Sequence, residues 1–134
     1  MDTVDLLTPN AVVANLRSGS KKQSLQDLSK VAAQLTGIDE RQIFEILLER
    51  ERLGTTGVGN GIAIPHGKLA GLKRLHGVFA RLEKPIDFEA IDEQPVDLIF
   101  LLLAPEGAGA DHLKALARVS RQLRDAAFCD KLRG

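Results

Sequence analysis

A run of apolar residues in the C-terminal half constrains the fold of this chain more than any other feature. From Val96 to Ala104, every residue except Asp97 is apolar. Such a run is typical of a central strand that is covered on both faces. It is also far shorter than the roughly 20 apolar residues that a membrane-spanning helix needs. We therefore expect a sheet with helices on both sides, and no insertion into a membrane.

Shorter patterns predict the strands around this run. Clustered or alternating apolar residues predict strands at residues 11–16, 62–64 and 78–82, and residues 85–88 are predicted to turn back as a hairpin. Between the first two of these strands, residues 54–61 are rich in glycine and threonine and are predicted to form a flexible loop.

Three stretches repeat apolar residues at intervals of three and four, the spacing of a helix with one buried face. Each follows a residue whose side chain can cap a helix start, namely Ser20, Asp39 or Asp111. The first two helices are predicted to end at Gly37 and Gly54. The last is predicted to reach about residue 124, with these side chains inward: Leu113, Leu116, Ala117 and Leu123. Strands interspersed with helices indicate an α/β protein, with a mixed sheet flanked by helices.

Composition excludes several function classes. Eighteen Lys and Arg balance eighteen Asp and Glu, and the chain has neither Trp nor Tyr. Both facts argue against binding to nucleic acid, which draws on a basic excess and on aromatic stacking. Cys129 is the only cysteine, and the start of the chain lacks a signal-like pattern. We therefore expect one domain of 134 residues in the cytoplasm.

The residues around His66 form the strongest candidate for chemistry. Pro65 stiffens the chain before it, while Gly67 and the glycines upstream leave room for a ligand or a docking protein. Imidazole has an unperturbed pKa of about 6.5, so a neutral nucleophilic nitrogen is available near pH 7. The same pattern also fits an ordinary surface histidine in a glycine-rich turn, and the spacing alone does not decide between the two.

Other motifs for phosphate, metal or hydrolytic chemistry are incomplete. Gly57 and Gly59 resemble a dinucleotide-binding fingerprint, but its third glycine position holds Ile62. After Lys68, Leu69 stands where a phosphate-binding loop requires Ser or Thr. The three histidines lack the short spacing of a zinc site, and no nucleophile elbow is present. We therefore expect no nucleotide, metal or other cofactor.

A resemblance to a known family is carried by residues 54–68, which read GTTGVGNGIAIPHGK. This segment resembles the active-site signature of the fructose/mannitol-type enzyme IIA proteins of the bacterial phosphoenolpyruvate-dependent phosphotransferase system, and most of all their nitrogen-regulatory branch. The resemblance extends over nearly the whole chain, including residues 6–9, 20–22 and 94–98. It implies the fructose/mannitol-type enzyme IIA fold, in a single type-2 EIIA domain over residues 1–134. It also implies that this domain lacks a further C-terminal helix found in relatives of this branch.

The resemblance also implies a reaction. His66 matches the histidine that is phosphorylated by a histidine-containing phosphocarrier protein of the HPr or NPr type. His112 matches a second histidine that assists the phosphoryl group, and Arg50 matches an arginine that pairs with its oxygens. Without the resemblance, His112 is equally a histidine at a helix start, and Arg50 is a solvated arginine at a helix end.

The glycine-rich loop contributes two further candidates. Thr56 and Gly57 match the phosphoryl-binding part of the signature. Thr55 stands where relatives often have Ser, so the resemblance leaves open which of the two threonine hydroxyls contacts phosphate.

Two functions remain open at this point. In the first, the chain is a phosphotransferase component with a phosphohistidine intermediate that signals through its phosphorylation state to regulatory targets such as transporters or kinases. In the second, it is a sugar-specific enzyme IIA that passes the phosphoryl group to an enzyme IIB during sugar uptake. A free-standing domain with the signature of the nitrogen branch favours the first.

Overall fold

The computed structural model of this chain describes residues 9–134. Its strands are β1 (Val12–Leu16), β2 (Gly57–Gly59), β3 (Ile62–Ala63), β4 (His66–Leu69), β5 (His76–Ile86) and β6 (Val96–Pro105). Its helices are α1 (Lys21–Thr36), α2 (Glu40–Leu53), α3 (Ala110–Leu123) and α4 (Ala126–Arg133), and a 3-10 turn covers Pro9–Ala11. In this part of the chain, none of the helices has the length and apolar character needed to cross a membrane.

The six strands form one mixed sheet, as the sequence predicted. The order is β1-β5-β6-β3-β2, and β4 also pairs with β6. Strands β3 and β4 run parallel to β6, whereas β5 runs antiparallel to it. Because β3 and β4 pair along the same edge of β6, His66, the first residue of β4, lies directly beside Leu102.

Strand β6 is the centre of the molecule, which confirms the interpretation of the apolar run. Its side chains alternate between two cores, since successive residues of a strand point to opposite faces. One core packs against α1 and α2 and includes Ile99, Leu101 and Leu103. The other packs against α3 and α4 and includes Leu98, Phe100 and Leu102. Helices therefore cover both faces of the sheet.

The predicted ends of the first two helices are confirmed. The side chain of Ser20 accepts a hydrogen bond from the backbone of Gln23 at 3.1 Å, and Asp39 caps α2 through Gln42 at 3.1 Å. Gly37 has a φ of 75°, the left-handed conformation that favours glycine after a helix.

Two predictions about the strands were wrong. Residues 57–59 are not flexible loop but strand β2, which pairs with β3. Residues 85 and 86 do not turn back, because β5 continues to Ile86 and pairs there with Val96. The hairpin between β5 and β6 is closed instead by residues 87–95.

The prediction for α3 was wrong in its start and in part of its buried face, since Leu123 is buried and Leu116 packs against the core as predicted, but the other two residues do not. Gly109 occupies the N-cap position without a side-chain hydrogen bond, and Asp111 lies inside the first turn. Leu113 is 66% exposed and Ala117 is exposed, while His112 is buried. The inward residues follow the spacing that starts at the histidine: His112, Ala115, Val119 and Leu123. A further helix, α4, follows at Ala126–Arg133, beyond the helix that we expected to be last.

Candidate functional site

His66 opens strand β4 beside the central strand. The carbonyl of Pro65 accepts a hydrogen bond from the backbone of Leu102 at 2.9 Å, which fixes the backbone immediately before the histidine. A Cβ atom on Gly67 would lie 2.6 Å from Cγ2 of Ile46. Glycine at this position therefore lets α2 pack close against β4, and this packing brings the end of α2 to the imidazole.

The two ring nitrogens of His66 have different partners. Nδ1 lies 2.9 Å from the carbonyl oxygen of Ile64, and the Nε of Arg50 donates to Nε2 at 3.3 Å. A carbonyl oxygen can only accept, so Nδ1 carries the hydrogen and Nε2 holds the free electron pair. The ring nitrogen that is able to act as a nucleophile is therefore Nε2, on the side of Arg50.

The surroundings of His66 favour its neutral form. Burial is the main cause that lowers the pKa of His66 below its usual 6.5, and the positive charge of Arg50 also lowers it. The hydrogen bond to Ile64 and the negative charge of Glu51 act in the opposite direction but do not restore the pKa. A neutral imidazole can attack phosphorus without a separate base.

His112 lies beside His66. The two ring centroids are 5.8 Å apart, and the ring planes are tilted by 55°. His112 is 6% exposed, and nothing in the described part of the chain forms a hydrogen bond with its Nε2. Burial, followed by the charges of His66 and Lys68, lowers the pKa of His112. Most buried polar atoms have a partner, so this nitrogen is an unsatisfied hydrogen-bonding group on a ring that lies beside His66.

Arg50 reaches the site from the last turn of α2. Its Nη1 donates to the carbonyl of Gly54 at 2.8 Å, while its Nε contacts the imidazole. A guanidinium has five N–H donors, so further donors remain for an oxyanion next to Nε2.

Thr56 directly precedes strand β2 and Gly57 is its first residue, and the polar groups of both are engaged within the protein. The hydroxyl of Thr56 donates to the carboxylate of Glu51, and its backbone N–H donates to the same carboxylate at 3.0 Å. The backbone N–H of Gly57 donates to the hydroxyl oxygen of Thr55 at 3.0 Å, and that hydroxyl donates to the carbonyl of Phe88 at 3.1 Å. These bonds hold the connection between α2 and β2, and they leave neither threonine hydroxyl free for phosphate in this structure.

Glu51 is the residue near the site to which the sequence reading gave no role of its own. It is 8% exposed and receives both bonds from Thr56 and an ion pair from Lys21 at 2.9 Å. The sequence held a signal for it. Glu51 follows Ile43 and Leu47 at intervals of four, so it continues the buried face of α2. A glutamate on a buried face needs hydrogen-bonding or charged partners, and here Thr56 and Lys21 supply them.

The arrangement suits transfer of a phosphoryl group. Nε2 of His66 has a free electron pair on a neutral ring, the guanidinium of Arg50 contacts it, and the ring of His112, with its unpartnered nitrogen, lies beside the imidazole. Such donors stabilise the charge that spreads over phosphoryl oxygens during transfer. His76 starts β5 on the opposite edge of β6 and takes no part in this arrangement. Among residues 9–134, no group of three or more His, Cys, Asp or Glu side chains could hold a metal ion.

Comparisons with known proteins agree with this chemistry. The family model "Phosphoenolpyruvate-dependent sugar phosphotransferase system, EIIA 2" matches residues 5–134. The chain is 62% identical over 133 residues to a "Nitrogen regulatory protein" of Bradyrhizobium diazoefficiens, covering 99% of this chain and 87% of the relative. It is similar to the crystal structure of Nitrogen Regulatory Protein IIA-Ntr from Neisseria meningitidis, with a TM-score of 0.92, 35% identity, and coverage of 97% and 89%. IIA mannitol from Escherichia coli gives a TM-score of 0.77 at 16% identity, with coverage of 96% and 90%. This last likeness confirms the predicted fold.

Proposed function

Because this chain belongs to the EIIA 2 family of the phosphoenolpyruvate-dependent sugar phosphotransferase system, we propose that it is a phosphohistidine relay of the nitrogen-regulatory type. It accepts a phosphoryl group on Nε2 of His66 from a histidine-containing phosphocarrier protein of the HPr or NPr type, in the cytoplasm. The observation that carries this proposal is the free electron pair of Nε2, which is fixed by the bond from Nδ1 to the Ile64 carbonyl.

The transfer step follows from the two bonds to the imidazole. The N–P bond at Nε2 forms as the P–N bond of the carrier breaks, and the carrier's imidazole leaves with the electron pair. In this structure the Nε of Arg50 contacts Nε2, so the guanidinium moves onto the phosphoryl oxygens as the bond forms. The Ile64 carbonyl favours the proton on Nδ1, which keeps the phosphorylated ring a good leaving group for onward transfer.

The remaining site residues have supporting roles in this proposal. Arg50 and His112 donate hydrogen bonds to the phosphoryl oxygens, and no metal or nucleotide takes part. Thr56 and Gly57 hold the connection between α2 and β2 in place, because their polar groups already bond to Glu51 and Thr55.

The regulatory role is supported by similarity to proteins named for nitrogen regulation. The relative from Bradyrhizobium diazoefficiens and the structure from Neisseria meningitidis both carry that name. In this role the phosphorylation state of His66 changes the affinity for target proteins such as transporters or kinases. The alternative is a sugar-specific relay that passes the group to an enzyme IIB, and the family's description as a sugar phosphotransferase system favours it.

Reconstitution with labelled phosphoenolpyruvate, enzyme I and the phosphocarrier tests the proposal. The wild-type chain should take up an acid-labile, alkali-stable label, and His66→Ala should take up none. His76→Ala is the matched control and should be labelled like the wild type. Equal labelling of His66→Ala would refute the proposal. Adding enzyme IIB proteins to the labelled chain then separates the two roles, since rapid passage of the label favours the sugar-specific one.

A further inference from the structure

We infer that Glu51 is a positioning residue that holds both ring nitrogens of His66 in their reactive arrangement. The inference rests on the proposed function, because it concerns how the phosphoryl-accepting imidazole is kept ready. Glu51 directly follows Arg50 in the last turn of α2 and is buried. It makes no direct hydrogen bond to the imidazole, so it acts through its neighbours.

The carboxylate of Glu51 joins three segments of the chain. Oε1 accepts the backbone N–H of Thr56 at 3.0 Å and lies 2.9 Å from Nζ of Lys21, while Oε2 accepts the hydroxyl of Thr56. Lys21 starts α1, and its Nζ also lies 5.1 Å from the ring centroid of Phe88. A buried carboxylate with three donors is well fixed, and it fixes those donors in turn.

One route from Glu51 leads to Nδ1 of His66. Thr56, held by the carboxylate, accepts a hydrogen bond at its carbonyl from the backbone N–H of Ile64 at 2.9 Å. The carbonyl of the same Ile64 accepts the hydrogen of Nδ1 at 2.9 Å. The position of Thr56 therefore sets the carbonyl that decides which ring nitrogen is protonated.

A second route leads to Nε2. The backbone carbonyl of Glu51 accepts the N–H of Gly54 at 3.1 Å, and the carbonyl of Gly54 accepts Nη1 of Arg50 at 2.8 Å. The side chains of Arg50 and Glu51 therefore bind the turn that follows α2 at two positions. Arg50 binds the carbonyl of Gly54, and Glu51 binds Thr56. If the bonds between the carboxylate and Thr56 are lost, the turn at residues 54–56 can shift. The guanidinium of Arg50 then loses the hydrogen bond from its Nη1 to the carbonyl of Gly54.

A purely structural role is the competing explanation. A buried ion pair with Lys21 would contribute to stability without influencing the imidazole, and breaking such a pair is strongly destabilising. The two explanations differ in a property of the folded protein. Only a positioning role changes the tautomer of His66 and the rate of transfer within the complex with the carrier.

The test uses the full chain and four variants. Glu51→Ala removes the carboxylate, and Thr56→Val removes only the hydroxyl that Oε2 accepts. Glu51→Gln keeps an acceptor for the Thr56 N–H, and it serves if Glu51→Ala does not fold. Glu49→Ala is the matched control, because Glu49 is an exposed glutamate of the same helix that pairs with Arg52. The tautomer of His66 is read from the ¹⁵N shifts of its ring, and transfer is measured in single turnovers with an excess of phosphorylated carrier.

In the wild type and in Glu49→Ala we expect the tautomer with hydrogen on Nδ1. Glu51→Ala should raise the fraction with hydrogen on Nε2. It should also lower the maximal rate of phosphoryl transfer by about tenfold or more, because small misplacements of reacting groups slow a reaction strongly. The carrier concentration that gives half of this maximal rate should change by less than about twofold. Thr56→Val and Glu51→Gln should show smaller changes in the same direction.

An unchanged tautomer and maximal rate in the folded variants would overturn the inference and leave Glu51 a structural residue. Failure of the proposed function looks different, because the wild-type chain itself would then take up no label. The tautomer measurement needs no phosphoryl donor, so it tests the positioning role in that case as well.

Discussion

The two ends of strand β6 carry polar clusters that contain similar groups but are organised differently. Near the start of the strand, Asp97 accepts two hydrogen bonds from the guanidinium of Arg133, at 2.7 and 2.9 Å. The same guanidinium donates to the carbonyl of Asn60 at 3.1 Å. About 16 Å further along the strand, the guanidinium of Arg50 contacts Nε2 of His66 at 3.3 Å, and Nε2 of His112 has no hydrogen-bond partner among the residues described.

The difference separates a cluster that holds the fold from one that can react. At the Asp97 end, a planar carboxylate matches a planar guanidinium, and the pair fastens α4 to the sheet. At the His66 end, the arginine contacts a nucleophile, and a buried ring nitrogen is left unsatisfied, an arrangement that suits an incoming oxyanion better than a closed structure. The variants below each remove one side chain from one of these two clusters.

The largest effect after loss of His66 itself is expected at Arg50. Arg50→Ala should lower the rate of phosphoryl transfer by up to about a hundredfold, the typical loss on removing one electrostatic donor. Arg50→Lys restores the charge but not the planar fork and should recover only part of the rate. Single-turnover transfer from the labelled carrier measures both. A rate in Arg50→Ala equal to that of the wild type would show that the contact with Nε2 has no part in transfer.

His112 should have a smaller effect, of about tenfold. His112→Ala removes the unpartnered nitrogen that we expect to donate to the phosphoryl group, so the label should arrive more slowly or decay faster. His112→Gln keeps a side-chain donor, so its rates of labelling and decay should lie between those of the wild type and of His112→Ala. Labelling and decay are followed after circular dichroism has confirmed the fold. Complete loss of label would instead make His112 an obligatory phosphate carrier.

The sequence singled out Arg50, His66 and His112, which lie together in the structure, but it predicted only part of the elements that surround them. Capping residues, apolar periodicity and the Val96–Ala104 run indicated the α1 and α2 boundaries and the central strand, because each depends on local chemistry or on plain burial. The signature around His66 pointed to the histidine whose Nε2 carries a free electron pair beside Arg50. These features need no knowledge of what packs against them.

The errors have a common cause in tertiary contacts. The face of α3 was predicted from its leucines, but His112 takes the inward position because it lies beside His66, and Leu113 is left 66% exposed. Residues 57–59 form a strand because β3 is available to pair with them. The sequence likewise did not indicate that the hydroxyl of Thr56 bonds to Glu51, because this bond depends on how α1 meets α2. Local patterns do not carry that information.

Removing the Asp97–Arg133 contact near the start of β6 should lower the stability of the fold and leave the rate of phosphoryl transfer unchanged. Arg133→Ala removes both bonds to Asp97 and the bond to Asn60. The side chains of Arg133 and Asp97 are 33% and 26% exposed, so water compensates in part and we expect the free energy of unfolding to fall by about 1 kcal/mol. Urea denaturation measures this loss, while the transfer rate should stay within about twofold of the wild type, since the fold is otherwise unchanged. A transfer defect as large as that of Arg50→Ala would mean that the two ends are coupled.

The smallest effect concerns pH, and it again distinguishes the two ends. Only the neutral form of His66 can attack, and burial together with Arg50 holds its pKa below 6.5 despite the opposing effects of Ile64 and Glu51. Protonation therefore begins at lower pH than in a free histidine. Between pH 8 and 6.5 the transfer rate should change by less than about twofold, whereas a histidine with the unperturbed pKa of about 6.5 would be half protonated, and its rate halved, at the lower limit. Arg50→Ala removes a cause that lowers the pKa, so the decline should move to higher pH. Arg133→Ala, at the other end of β6, should leave it in place. Single-turnover rates with a carrier prepared at constant pH, together with an NMR titration of the His66 ring, follow this shift directly. A wild-type decline centred at or above pH 6.5 would show that the site does not lower the pKa of its nucleophile.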